Sequence, residues 1–534
     1  MKRRLILVTI LTLIAGWLRF TAITFGMPGT YRPDEEYMIN PALSFGTSWN
    51  PHFSIYPSLQ MYVQHAALDV YAHLRGHQGN FRQYYEGDNY PTAHVVARWV
   101  SAAMGTVTIP AIYFAALPFG SHAALAAAAI MTLEPIHVLN SKFATTDAAV
   151  AFWLTLAIAM LPRIVKRGRF IEYVLAGIFS GLAIGTKYPA GAVVFGVVAA
   201  HFGARRRKEK SLRTALADPR IYLAGGLTLI VFFCATPYFL LDWAQTSRDY
   251  VFQREFVLHG YSVAGYGWRW LLLRVMPTCF GPAMETLILV SLMWALFNRS
   301  AGALSLLAFI SATFIALITS RQLFYRYIMV PLPALVMLAG VFVADLIDRA
   351  GQLKPRYGRG IVIAGFVLLL VPSLVRDIQL DSILLRPDTR TLAREWIFKN
   401  IPPGSTIAEV DAGTVYGKPQ LPGHYKVVPF EDPRVLRSKH VDWVLSDSYE
   451  PLSHYSPGPT DPQEELLGSH ATLVFDSYPI IPDAPEPIFD PNDAFYVPLR
   501  HISGVERPGP GIRIWRVNWN VTGTHNASRR GGQP

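Results

Sequence analysis

The sequence predicts a polytopic α-helical membrane protein that carries a small α/β domain toward its C-terminal end. Three observations lead there. Of the 534 residues, 51% are hydrophobic and only 16% are charged. The apolar residues form long runs up to about residue 380, whereas from Pro387 onward the chain is mixed, polar and proline-rich. The basic residues, which give a formal net charge of +11, cluster between the apolar runs. They read as membrane-orientation signals rather than as a nucleic-acid site. The two cysteines, Cys234 and Cys279, both lie within apolar runs and show neither a disulfide framework nor metal-thiolate spacing.

A bilayer core about 30 Å thick needs roughly 20 mainly apolar residues per helix. That template finds about eleven spans, near residues 5–25, 94–117, 119–137, 147–162, 172–187, 189–204, 220–241, 271–297, 301–320, 327–348 and 360–379. Lys2, Arg3 and Arg4 followed by an apolar run resemble a signal peptide, but no A-x-A-like site follows, so the run reads as an uncleaved first span. With the amino terminus inside, the inside connections hold Arg163, Lys166, Arg167, Arg169, the cluster Arg205 to Lys210, and Arg349, Lys354, Arg356 and Arg359. The opposite loops hold isolated basic residues such as Lys142, Lys187 and Arg326. This parity puts the first long loop, Asp147, Lys187, Arg326 and everything after about residue 380 on the non-cytoplasmic face.

The loop 26–93 is long for a connection and should carry short interfacial helices. Trp49, Phe53, Tyr56, Tyr62, Tyr84, Tyr85 and Tyr90 suit that interface. After the membrane domain, PDTRTLAREWIFKNI reads as one amphipathic helix ended by Pro402-Pro403-Gly404. Short β-like runs follow at 406–410, 426–430, 441–446, 471–476 and 512–517. The expected division is a membrane domain 1–380, an external α/β domain 381–519 and a disordered tail 520–534, in which Asn520 and Asn526 head formal glycosylation triplets.

Four patches carry chemistry. The first is YRPDEEYMINPALSFGTSWNPHFSIYPSLQMY, Tyr31 to Tyr62, where Asp34, Glu35 and Glu36 follow the first apolar run. Asp34 is either a proton acceptor or the N-cap of a helix through Met38, Ile39 and Leu43. His52 and Tyr56 in the same stretch are candidate substrate contacts. The second is SKFATTD, Ser141 to Asp147, where Asp147 steers an acceptor, shares a metal or caps the helix starting at Ala148, and Lys142 either touches phosphate or snorkels. The third, GLAIGTKYPAG, puts Lys187 at the tip of a tight hairpin; the fourth, RQLFYRYIMVPLPAL, supplies Arg321 and Arg326. Arginine suits phosphate because its planar donors bind oxygens bidentately. His52, His137 and His259 fall on the same face, where a carboxylate would complete a metal site. No H-x-x-x-H spacing supports one. The cofactor expectation is therefore none, with a divalent metal as the alternative.

Together, RPDEEYMINPAL, NPHFSIYPSL, SKFATTD, GLAIGTKYPAG and RYIMVPLPAL resemble the GT-C membrane glycosyltransferases. The similarity is to the protein O-mannosyltransferase family (glycosyltransferase family 39) and the bacterial aminoarabinose-transferase-like enzymes. It covers about residues 5 to 350, and RPDTRTLAREWIFKNIPPGS and RPGPGIRIWRV are similar to the C-terminal region of bacterial members. The resemblance implies a GT-C fold and an inverting transferase that uses a polyprenyl-phosphate sugar, such as a mannose-like hexose. It implies Asp34 as base, Glu35 as an acceptor-side partner, Asp147 as the second acidic position, and Lys187 and Arg326 as contacts of the lipid phosphate, to which the residue reading adds Lys142 as a further candidate. No extra sugar-binding domain of the eukaryotic protein mannosyltransferases is recognisable, which leaves the acceptor open among lipid, glycan and protein. The similarity to bacterial members points to a bacterial plasma membrane.

The chemistry fits one base and one cationic clamp. A departing phosphate needs positive charge rather than a proton, while the incoming hydroxyl benefits from a carboxylate. A lipid-linked sugar flippase would instead want ionisable groups deep in its spans, and only Glu134 and Glu285 stand out there. A non-catalytic membrane scaffold is the other alternative.

Overall fold

The computed structural model describes residues 2–207, 211–259, 267–321, 323–410, 415–421, 423–448, 470–493 and 495–519. The expected tail, with Asn520 and Asn526, lies outside the described residues. The chain forms two compact units. The first comprises Met1–Phe25 and Asp34–Ser382, the second Gly26–Pro33 and Ile383–Pro534.

The first unit is helical. Among the described residues, five helical stretches are long and apolar enough to cross a bilayer: Gly87–Phe119, Asp147–Lys166, Leu212–Ala235, Ala301–Thr319 and Gly358–Asn400. Ser121–Thr132, Phe170–Thr186 and Pro282–Asn298 are apolar but shorter. The other three regions read as spans also fold as helices, Lys2–Phe20, Val193–Arg207 and Leu332–Leu353.

At the centre runs Asp147–Lys166, whose Leu154, Ala157, Ile158 and Leu161 are fully buried. It packs against Tyr90–Ala116, Phe170–Thr186, Val193–Arg207 and Ala301–Thr319. Close approach decides the next layer. A Cβ on Gly177 would stand 2.6 Å from Ala224 O, and one on Gly181 2.7 Å from Thr228 O. Small residues four apart thus seat Phe170–Thr186 directly on Pro219–Ala235, and this fixes the end of the helix from which Lys187 emerges.

Three boundaries differ from the hydropathy reading. The first helix stops at Phe20 and continues as turns. The region 119–137 breaks after Thr132 and restarts at Pro135, which has no N–H to continue the ladder and so opens the short helix Pro135–Asn140. The region 271–297 is divided at Gly281, whose φ of 77° no ordinary helix residue adopts. The polar helix Trp243–His259 went unanticipated because its apolar positions are too few to register as a span.

Charge also lies deeper in this unit than the apolar runs suggest. Arg19, Glu134, His137, Lys142, Asp377 and Asp381 are all buried. Arg19 bonds Met131 O at 2.9 Å and His137 Nδ1 at 2.7 Å, and Arg376 bonds Cys279 O at 2.8 Å.

Among the described residues, the second unit is built on a mixed five-stranded sheet. Its strands are β1 (Thr406–Glu409), β2 (Lys426–Pro429), β3 (Trp443–Ser448), β4 (Ala471–Ser477) and β5 (Gly511–Val517), in the order β2-β1-β3-β5-β4. β1 pairs in parallel with β2 and β3, whereas β5 runs antiparallel to β3 and β4. Alternation assigns the faces. Ile407, Leu445, Ile512 and Ile514 meet Ala393 and Ile397 of the helix Thr389–Asn400, and Ala408 and Val444 meet Leu436 and Val441 on the other side.

Candidate active site

Asp34 stands at the start of the helix Glu35–Ser44 with φ 71° and ψ −18°, a left-handed backbone that aspartate tolerates better than most residues. Its carboxylate makes no capping bond to that helix. Instead Oδ2 lies 2.5 Å from Arg326 Nη2, and the Tyr56 hydroxyl approaches the same oxygen at 3.4 Å. Of the two readings of Asp34, the N-cap is the one the geometry sets aside.

Arg326 sits in the tight turn Tyr325–Met329, with its guanidinium over the Phe324 ring at 4.3 Å. Its side chain is 8% exposed, against 19% for Asp34, so the pair is sheltered without being sealed.

A second ion pair lies nearby. Asp147 opens the helix Asp147–Lys166, and its Oδ1 is 2.5 Å from Lys187 Nζ while Oδ2 accepts from Thr145 Oγ1 at 3.1 Å. Lys187 is extended, between the helix Phe170–Thr186 and the turn Tyr188–Ala192. Its ammonium lies 5.2 Å from the centre of the Tyr327 ring.

Tyr56 joins the two pairs electrostatically. Burial, followed by the negative charge of Asp34, pushes its phenol well above the ordinary range; Arg326 pulls the other way, and Tyr327 and Asp147 add to the rise. Asp34, Asp147, Arg326, Tyr56 and Tyr327 therefore share one electrostatic neighbourhood.

The loop carrying Tyr56 is tied down at several points. Ser54 N donates to Asp249 Oδ2 at 2.6 Å, the Tyr188 hydroxyl donates to Ser54 O at 2.9 Å, and Asn50 Nδ2 donates to Asp242 Oδ2 at 2.7 Å. Sequence reasoning treated this stretch as an interfacial belt and missed its anchors, since Asp242 and Asp249 gave no local signal.

Glu35 departs from the acceptor-side role implied for it. Its carboxylate is fully buried, receives Arg98 Nε and Nη2 at 2.7 Å each, and accepts the Ala144 N–H at 2.8 Å. Burial alone would raise the Glu35 carboxyl, but Arg98 and these bonds outweigh it and hold the group below the ordinary glutamate range. Glu35 thereby ties the helix that follows Asp34 to the segment that leads into Asp147.

Lys142 departs as well. It is 1% exposed, lies 2.8 Å from Asp381 Oδ1, and donates to Thr21 O at 2.8 Å and to Leu18 O. Desolvation favours such internal partners over a reach toward a ligand. His52 also stands apart, with its ring 3.5 Å from Asp242 and largely exposed. The Arg321 side chain is exposed. The histidines do not assemble: His137 bonds Arg19 and His259 bonds Glu255 at 2.8 Å. Among the described residues no group of three or more His, Cys, Asp or Glu is placed to hold a metal ion.

Two acidic and two basic side chains thus meet in loops at the ends of long apolar helices, on a fold similar to that of a solved membrane-embedded transferase. The chain aligns with the oligosaccharyltransferase AglB from Archaeoglobus fulgidus, solved with an inhibitory peptide and a dolichol-phosphate. The TM-score is 0.51 at 13% identity, covering 89% of this chain and 73% of that one. ArnT from Cupriavidus metallidurans, bound to undecaprenyl phosphate, aligns with a TM-score of 0.47 at 15% identity, over 98% of this chain and 99% of that one.

In sequence, residues 63–244 match the family model described as dolichyl-phosphate-mannose-protein mannosyltransferase. Protein O-mannosyl-transferase 1 of Danio rerio is 31% identical over 132 residues, which are 23% of this chain and 18% of that protein. The chain thus spans less than a fifth of the curated relative it matches. The resemblance carried by the sequence motifs is borne out at the level of fold and domain family. The matched region contains Asp147 and Lys187, whereas Asp34 precedes it and Arg326 follows it.

Proposed function

We propose that this chain is an inverting glycosyltransferase that moves a sugar from a polyprenyl-phosphate donor to a hydroxyl or phosphate acceptor, with Asp34 as general base. The observation that carries the reading is the 2.5 Å pair of Asp34 and Arg326 beside the 2.5 Å pair of Asp147 and Lys187. The family description, which names a dolichyl-phosphate sugar, and the dolichol-phosphate in the AglB complex support a lipid-linked donor.

In the proposed step an acceptor oxygen attacks the anomeric carbon and passes its proton to the Asp34 carboxylate. The bond from that carbon to the phosphate oxygen breaks, and the phosphate leaves with the electron pair. Its growing negative charge falls to Arg326 and Lys187, whose preorganised cations stabilise the transition state more than the ground state. Asp147 holds Lys187 and faces the acceptor. Because the acceptor oxygen attacks the anomeric carbon from the side opposite the departing phosphate, the anomeric configuration inverts. No step calls for a metal.

The sugar is a mannose-like hexose or a related one. The catalytic domain is the membrane-spanning region 1–380 of a multi-pass protein of a bacterial plasma membrane, with its active site on the non-cytoplasmic face, and 381–519 form the external domain on that same face. The test is transfer of labelled sugar from a synthetic polyprenyl-phosphate donor by the purified chain in lipid nanodiscs. Asp34→Asn should abolish transfer while the protein still inserts and elutes normally. A variant that turns over at the wild-type rate removes Asp34 from the mechanism.

A further inference from the structure

In the first turn of the helix Leu59–Leu74 lies a buried amide, Gln60. It is 1% exposed, yet among the described residues neither its Oε1 nor its Nε2 has a hydrogen-bond partner. Burying a carboxamide unmet is costly, and a methionine of nearly the same length would fill the position without that cost. The surroundings of Gln60 belong to the first unit and to the candidate site. Its neighbour Leu59 stands against Gly185, where an added Cβ would lie 3.7 Å from Leu59 Cβ, and Lys187 follows two residues later. One turn along the same helix face, Gln64 donates through Nε2 to Ala144 O at 3.1 Å, three residues before Asp147. Ala144 N in turn donates to the Glu35 carboxylate, beside Asp34, at 2.8 Å. Upstream, the Tyr56 hydroxyl reaches Asp34 Oδ2 at 3.4 Å. The turn that carries Gln60 is thus enclosed by the segments that hold Asp34, Asp147 and Lys187. Gln64 commits one of its two amide atoms to that backbone, and Gln60 commits neither.

From this arrangement we infer that Gln60 binds a ring hydroxyl of the transferred sugar and so sets which sugar the enzyme accepts. The inference rests on the proposed donor and on the proposed roles of Asp34 and Lys187. In that reading the anomeric carbon lies between an acceptor oxygen at Asp34 and a phosphate at Lys187 and Arg326, so the sugar ring falls among the segments around Gln60. A carboxamide suits a hydroxyl, because Oε1 accepts its proton while Nε2 donates to an oxygen. Being neutral, it does not compete with the cationic clamp for the phosphate. A buried polar group whose partner is the substrate also selects more sharply than an apolar wall, since a sugar lacking the hydroxyl leaves the amide unmet. Gln60 is a specificity-determining residue; proton transfer and phosphate departure stay with Asp34, Arg326 and Lys187.

The test compares wild type, Gln60→Met and Gln64→Met in the full chain in nanodiscs, with the polyprenyl-phosphate sugar that the wild type transfers and with each of its monodeoxy versions. The wild type should disfavour at least one deoxy donor by roughly ten- to a hundredfold in kcat/KM. Gln60→Met should lose rate on the parent donor and handle it and that deoxy donor alike. Gln64→Met, which removes a bond to the backbone before Asp147, should slow every donor by one factor and keep the wild-type order. Gln60→Met should also melt at or above wild type, because it removes an unmet polar group. An unchanged order of donors in Gln60→Met, or the same change of order in Gln64→Met, overturns the inference. So does a melting midpoint of Gln60→Met well below wild type, which would make the amide part of the scaffold. Should the wild type transfer no sugar from any polyprenyl donor, the proposed function fails. Binding of undecaprenyl-phosphate mannose and its monodeoxy versions, read by thermal shift, then decides for Gln60: a preference lost in Gln60→Met upholds the sugar contact, and the same response in both proteins overturns it.

Discussion

Arg326 Nη2 lies 2.5 Å from Asp34 Oδ2, which brings together two residues 292 positions apart in the chain. The proposed base and the proposed phosphate clamp are thus in direct contact. A guanidinium is a planar fork of five donors, so one side chain can bridge a carboxylate and a phosphate oxygen. Removing a donor that meets developing charge costs about 10²–10³ in kcat. Arg326→Ala should fall in that range in the nanodisc transfer assay. Arg326→Lys, which keeps the charge and loses the fork, should lie between Ala and wild type. A wild-type rate in Arg326→Lys would show that charge alone is what the site uses, and equal rates for the two variants that the fork is.

Glu35 and Arg98 form a pair with no exposed side-chain surface, held by two bonds of 2.7 Å. Leaving either partner alone in that setting should cost about 3–5 kcal/mol, whereas replacing both with apolar residues of similar volume should cost far less. Glu35→Ala and Arg98→Ala are expected to lower the thermal midpoint in detergent strongly, and the Glu35→Leu, Arg98→Met double variant to recover most of it. The pH dependence follows from the direction of the Glu35 shift. Its folded value lies below the ordinary one, so the pair's contribution is complete above about pH 4.3 and drains away as pH falls through the lower folded value. The acid limb of stability should flatten in the double variant.

How far these features were legible in the sequence depends on the kind of signal each one sends. Asp34 and Lys187 stand out because each is a charged residue beside an apolar run, and the run itself marks the membrane edge. Lys142 sends the same signal and turns inward to Asp381, since one sequence carries no record of which side of a helix end faces a partner. The Glu35–Arg98 pair spans 63 positions, and a lone arginine inside an apolar stretch reads as an anchor until its partner is seen. The strand runs were readable from their alternation, and the structure has strands at 406–409, 426–429, 443–448, 471–477 and 511–517. That Gly26–Pro33 folds with the second unit was not readable, because nothing local distinguishes a segment clamped by distant residues from a plain loop.

Tyr56 offers its hydroxyl to Asp34 Oδ2 at 3.4 Å, a long bond that a bound acceptor can tighten or displace. Hydrogen bonds to charged groups contribute about 1.5–3 kcal/mol, so Tyr56→Phe should slow transfer by roughly ten- to a hundredfold if the bond is made in the transition state. Burial first, and then the charge of Asp34, raises the phenol above its ordinary value of about 10, so Tyr56 stays neutral across the working range. The protonated phenol's contribution to stability is full below pH ~10 and is lost as pH rises through the folded value. A kcat profile with an inflection between pH 7 and 9 that vanishes in Tyr56→Phe would contradict this picture.

Lys142 and Asp381, 2.8 Å apart and both buried, decide whether the lysine of SKFATTD serves the ligand or the fold. The ammonium also donates to Leu18 O and Thr21 O, so it joins the end of the first helix, the segment before Asp147 and the last long helix of the first unit. Withdrawing it strands a carboxylate away from water. Lys142→Ala should therefore destabilise the protein by about 3–5 kcal/mol, and Lys142→Met with Asp381→Leu should restore much of that loss. Donor KM in the restored double variant should match wild type, because neither side chain reaches the phosphate. A normal melting profile in Lys142→Ala together with a raised donor KM would return Lys142 to the donor site and take it out of the scaffold.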